Sequence, residues 1–257
     1  PSTSNTIDIV SYGASATIGG SIIPVLNSIT CKSASNTTAL VSLDIKKNVT
    51  IETNAIFNDG NLHHIVQGNW TETGTGQRTG TGTINFSGIV SEIKATDNTT
   101  IAFQNVICSG IGSTTFASNT ANNTFQISGD FSVLDSKEVM LLDDPLLVAG
   151  NFLVESLAKF GGSAATTTFN GTLDQNIDVS GDVLFGNLAF SGASLKTVIG
   201  NLKTTGTATI NVTSTVAGIG SHEFANTLTV NGTCNFSGDI TMKGGNITST
   251  NTNLLFA

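Results

Sequence analysis

The chain has 257 residues, a net charge of −8 and 11% charged residues, where an ordinary globular protein carries about a quarter. Ten Lys and Arg, with no cluster beyond Lys46-Lys47, exclude the basic stripe that a nucleic-acid surface needs. No uninterrupted apolar run approaches the ~20 residues that cross a bilayer as a helix, so no membrane span is expected.

The polar share is Ser, Thr, Asn and 28 Gly, with Phe, Ile, Val and Leu recurring throughout. That mixture suits short strands joined by tight turns, and it can bury a continuous core. Residues 1–38 alternate only weakly (Ile7, Ile9, Tyr12, Ile18, Ile22-Ile23) and read as an irregular start or cap. The chain begins at Pro1 with neither a starting Met nor a signal peptide, and so reads as processed or excised. From Ala39 a period of two is clear, with Val41, Leu43 and Ile45 on one parity. Asn58-Asp59-Gly60 is a turn signal. His63 and His64 are adjacent and so face opposite ways on a strand, one to solvent and one inward near Trp70. The glycines from Gly74 to Gly82 lack the spacing of a dinucleotide loop and read as turns.

The organising feature is an internal repeat between residues 66–110 and 148–192. Val66-Gln67-Gly68-Asn69-Trp70 answers Val148-Ala149-Gly150-Asn151-Phe152, an offset of 82. Asn85-Phe86-Ser87-Gly88 answers Thr168-Phe169-Asn170-Gly171, and the stretch from Phe103 to Gly110 answers Phe185 to Gly192. Such self-similarity marks a stacked architecture, here an all-β, right-handed parallel β-solenoid over residues 39–257. Trp70, Phe86, Phe103, Phe152, Phe169, Phe185 and Phe224 are the expected interior stack, with Gly68, Gly88, Gly150, Gly171 and Gly200 at turns. At about 20 to 25 residues per coil, ten to twelve coils are expected.

Two segments break the rhythm. Residues 134–147 open with Asp135-x-x-Glu138, which fits a helix capping box, while Val139 and Leu141 fit a strand; both readings stay open. Residues 153–160 lean to strand or loop.

The motif Val49-Thr50-Ile51, His64-x-Val66-x-Gly68-Asn69-Trp70-Thr71, Gly82-Thr83-x-x-Phe86-x-Gly88, Phe103-x-Asn105 resembles the repeats of very large secreted surface proteins of Bacteroidetes. A shortened further copy has Gly200-Asn201-Leu202 and Phe224-Ala225-Asn226, and autotransporter passenger domains share the composition. The resemblance covers roughly residues 40–240. It implies a β-solenoid in an extracellular adhesin or surface fibre, and no chemistry.

No nucleophile elbow or phosphate loop is present, and no cofactor is expected. Cys31, Cys108 and Cys234 are odd in number and distant in sequence, and Cys108 stands where the repeat has Phe190, which argues for burial. Asp174, Asp178 and Asp182 form the best acidic constellation: even spacing would align them on one strand face for Ca²⁺ or acid–base work, although Gly181 interrupts that strand. Leu254-Leu255-Phe256 is an apolar terminal segment suited to docking on a neighbour. The preferred reading is a non-enzymatic, secreted structural module whose partners are copies of itself, flanking repeats or surface glycans. The alternatives are a polysaccharide-binding or polysaccharide-lyase β-helix and a phage or virus tail fibre.

Overall fold

A computed structural model describes residues 7–97, 100–118, 123–250 and 254–256. Among these there is no helix; thirty-five short strands wind in one direction and pair only in parallel. They form a β-solenoid of about eleven turns. At about 4.8 Å between parallel strands, the coil is a rod ~50 Å long.

Most turns have three strands, and nearly every strand pairs with its counterpart one turn on. Face 1 includes His63–Val66, Thr83–Phe86, Asn105–Cys108, Phe131–Val133 and Phe152–Val154. Face 2 includes Trp70–Thr73, Val90–Thr96, Ile111–Ser118, Ser136–Leu141 and Lys159–Gly162. Face 3 includes Thr100–Phe103, Thr124–Ile127, Leu146–Val148, Thr166–Phe169 and Asn187–Phe190. The face 1 positions Val66, Phe86, Cys108, Val133 and Val154 are stacked register partners, separated by 20, 22, 25 and 21 residues. Residues 7–38, expected to be irregular, carry Ile7–Ser11 and Val25–Cys31 in one parallel ladder and Ala16–Ile18 in another.

The repeat has a geometry that its offset alone did not disclose. Four turns beyond Val66 on face 1 is Val154, 88 residues on, so an offset of 82 falls short of a whole number of turns. Val66 ends a face 1 strand, whereas Val148 ends a face 3 strand. Phe86 and Phe169 differ in the same way, and Trp70 opens a face 2 strand where Phe152 opens one on face 1. The repeating unit is therefore strand–corner–strand, and the second copy is rotated by two faces. Each face presents the same in–out alternation and the same corner, so one sequence solution serves all three.

The helix reading of residues 134–147 is corrected: Ser136–Leu141 is a face 2 strand. Asp135 is a corner residue at φ 60°, and Lys137, Val139 and Leu141 point inward while Ser136, Glu138 and Met140 point out. Residues 153–160 hold the end of one strand, a turn and the start of the next.

Candidate functional site

All seven aromatic residues expected inside are buried. They form three clusters. Trp70 meets Phe57, Phe86 and Phe103 edge-on at 6.0, 6.4 and 5.5 Å. Phe152 is the centre of the second, 5.6 Å from Phe131, 5.2 Å from Phe160, 5.3 Å from Phe169 and 6.0 Å from Phe185. Phe224 lies 6.5 Å from Phe236, which His222 covers at 4.3 Å. Each buried Phe is worth about 1.5–3 kcal/mol of transfer free energy, and each favourable ring pair adds about 0.5–1.5 kcal/mol.

Gly68, Gly88, Gly150 and Gly171 sit at corners, whereas Gly200, expected at a turn, is the last residue of the strand Leu195–Gly200, with φ 94°. A Cβ on Gly68 or Gly150 would run into the backbone of the turn below, so close stacking needs glycine there. The residue after it carries a second device. The Asn69 N–H donates to Asn48 Oδ1 (3.0 Å), and Asn69 Oδ1 in turn accepts from the Glu92 N–H (2.9 Å). At the corner between faces 3 and 1 the same relay runs Asn105, Asp130, Asn151, Asn176, with links of 2.9, 2.7 and 2.9 Å. Corner peptides lie outside the regular ladder, and these side chains satisfy their N–H groups.

The interior also holds polar groups, of which the sequence reading singled out only the inward member of the His63-His64 pair, here His64. In the third and fourth turns Arg78 pairs with Asp59 through Nε (2.6 Å) and Nη2, and Nη2 donates to the Gly82 carbonyl at 3.0 Å. The Arg78 guanidinium also lies 5.8 Å from the Phe103 ring centre. His64 is buried, and its Nδ1 accepts from the Leu43 N–H (3.2 Å). Nε2 faces the Asp59 carbonyl at 2.8 Å and so donates, which fixes a neutral tautomer. Glu72 accepts from Trp70 Nε1 at 2.9 Å, but its Oε2 has no partner. Burial raises the Glu72 carboxyl to about 8, so it is protonated at neutral pH. Burial likewise raises Asp59 and lowers Arg78, each opposed by the partner's charge.

Three more buried groups follow one rule. Lys137 Nζ donates to the Gly88 carbonyl, and Lys196 Nζ donates to the Gly171 carbonyl at 2.8 Å. Gly88 and Gly171 are repeat equivalents, so both corners have an inward carbonyl held by a buried ammonium. Gln175 donates to the Val148 carbonyl (3.1 Å) and accepts from the Gly171 N–H (2.9 Å). Burial lowers both lysines, and it lowers His222 to about 4. Where a corner peptide turns inward, a polar side chain must meet it.

The acidic triad is not brought together. Asp174 lies before a face 1 strand and accepts from the Leu195 N–H (3.1 Å). Asp178 is on face 1 and bonds to the Ser180 N–H (3.0 Å), whereas Asp182 is on face 2 beside Lys159. The corner at Ser180-Gly181 separates them, so spacing along the chain does not become a shared face. Asp178 instead lines an open hollow of about 530 Å³ with Asp135 and Glu155 from earlier turns. Among the described residues no group of three His, Cys, Asp or Glu could hold a metal ion. All three cysteines are free and buried; burial pushes the Cys108 thiol up to about 12 and Cys234 up to about 11. Leu254–Phe256 is a terminal face 1 strand pairing with Thr233–Ser237, and its side chains lie outside the described residues.

Compared with family models, curated proteins and solved structures, the chain matches none.

Proposed function

We propose that the chain is a non-enzymatic structural rod, a module of a secreted filament or adhesin that assembles with copies of itself. One observation carries this reading: the groups with strongly displaced pKa values, Glu72, His222, Cys108 and Cys234, are sealed inside the coil. A group tuned for proton transfer must reach a substrate, and these are spent on holding corners and filling the interior. The outer surface supports the same reading. Tyr12 is the one exposed aromatic among the described side chains, so the faces offer no row of rings for sugars to stack on. The resemblance to secreted surface repeats adds location to the proposal.

The test is direct imaging of the purified chain by negative-stain electron microscopy, with product assays on a panel of acidic and neutral polysaccharides. Fibres built from ~50 Å rods, with no chain cleavage, are expected. Release of unsaturated or reducing ends from any glycan would replace this reading with that of a polysaccharide-cleaving β-helix.

A further inference from the structure

Face 3 differs from the rest of the surface in charge. Its eight-stranded sheet, from Thr100–Phe103 to Ile247–Ser249, contains no charged residue. The residues that follow each strand, and those that precede Leu146, Ala208, Leu228 and Ile247, are Gln, Ser, Ala, Asn, Thr or Pro. Faces 1 and 2, by contrast, turn Glu92, Lys94, Glu138, Lys159, Asp178 and Asp182 outward. Face 3 has no outward ring either, because its aromatic residues all point into the coil.

The neutral face is also a lattice. Thr100, Thr124, Thr166, Thr207 and Thr227 stand in one outward column, interrupted by Pro145 and Asn187. Thr168, Thr209, Thr229 and Thr248 stand in the next, interrupted by Ala189. Turns are about 4.8 Å apart and alternate residues along a strand about 6.6 Å, so the eight turns make a plane of roughly 34 by 13 Å with two fixed repeats. Threonine is stiff at χ1, and its oxygens here follow the backbone from turn to turn. Thr248 Oγ1 donates to Thr229 Oγ1 at 3.3 Å, and Thr207 Oγ1 to Asn187 Oδ1 at 3.1 Å.

We propose that face 3 binds crystalline water, the surface of ice. Charge selects the class of ligand: an uncharged plane suits a neutral solid, and no ionic side chain on it holds a hydration shell of its own. Spacing selects the member: the two repeats of the plane lie close to the two oxygen repeats of the prism face of hexagonal ice. Threonine hydroxyls take lattice positions there, and the methyl groups fill the space between them. One hydrogen bond to ice replaces one to liquid water at little net gain, so binding depends on many bonds made together by a surface that is already ordered. The parallel ladders provide that order. This inference goes beyond the structural reading above and does not require the rods to assemble.

The test is the freezing behaviour of dilute solutions of the full chain, read as thermal hysteresis and as enrichment of protein in slowly grown ice. Wild type should open a gap between melting and growth and should be enriched in the ice. Thr209→Lys with Thr229→Lys should abolish both with unchanged circular dichroism, whereas Thr71→Lys with Thr115→Lys, the same charge change on face 2, should keep both. Thr209→Ser with Thr229→Ser, a milder pair that removes only the methyl groups, should narrow the gap. Ice that grows at its melting point in wild type would overturn the proposal. So would equal losses from the face 2 and face 3 lysine pairs. A wild-type dimer that the face 3 lysines dissociate, with no hysteresis, would assign the plane to a second copy instead.

Discussion

The interior of the third and fourth turns and that of the seventh to ninth are filled by different means. The first is built around Asp59, Arg78, Glu72 and His64, with Trp70 and Phe57 beside them. The second is a run of phenylalanines from Phe131 through Phe152, Phe160, Phe169 and Phe185 to Phe190. Both are nearly free of solvent, so burial alone does not choose between them. What differs is the corner: at Asp59-Gly60 and Gly80 to Gly82 peptide groups turn inward and need partners, and Arg78, Asp59 and His64 supply them. In the aromatic region the asparagine relay meets corner peptides on the outside, and the inward groups of the Gly171 corner are met by Lys196 and Gln175.

The largest expected effects break one partner in each region. Arg78→Met leaves Asp59 buried and unpaired and should cost about 3–5 kcal/mol in urea unfolding, whereas replacing both partners with apolar residues should recover most of it. Phe152→Ala should also cost about 3–5 kcal/mol, with no second substitution restoring it as simply. Equal recovery in both regions would erase the distinction.

Next in size is pH. Glu72 has a folded-state pKa of about 8 against an ordinary 4.5, so the folded state holds a proton that the unfolded chain has released. Its contribution is fully present below about pH 4.5 and is lost as pH rises through 8, on the order of a few kcal/mol. His222 has the opposite sign: lowered from 6.5 to about 4, its contribution is present above pH 6.5 and is lost as pH falls through 4. Thermal unfolding from pH 4 to 9 should show loss on both limbs, with Glu72→Gln flattening the alkaline limb and His222→Phe the acid one. The smallest effect is at the corners: Asn151→Ala removes one relay bond and should cost about 1 kcal/mol by the same unfolding measurement.

Much of the fold was legible because aromatic and glycine spacing marks corners, and corners are what a solenoid repeats. Their assignment to faces was not, because turn length varies and 82 residues is no whole number of turns. The inward polar groups did leave a signal: Trp70 and Glu72 share parity on one strand, so an inward Trp70 carries Glu72 inward with it. The Asp174, Asp178, Asp182 spacing misled for the reverse reason, since parity has no meaning across the corner at Gly181.

The central claim is one continuous coil in which face 3 residues stack turn upon turn. Gln126, Leu147, Thr168, Ala189, Thr209, Thr229 and Thr248 are successive register partners on that face. Spin labels on Gln126 and Thr209, four turns apart, should lie ~19 Å from each other, and labels on Gln126 and Thr248, six turns apart, ~29 Å, as measured by pulsed electron–electron resonance. A second distance equal to or shorter than the first would mean that the chain folds back on itself, and the coil would be wrong.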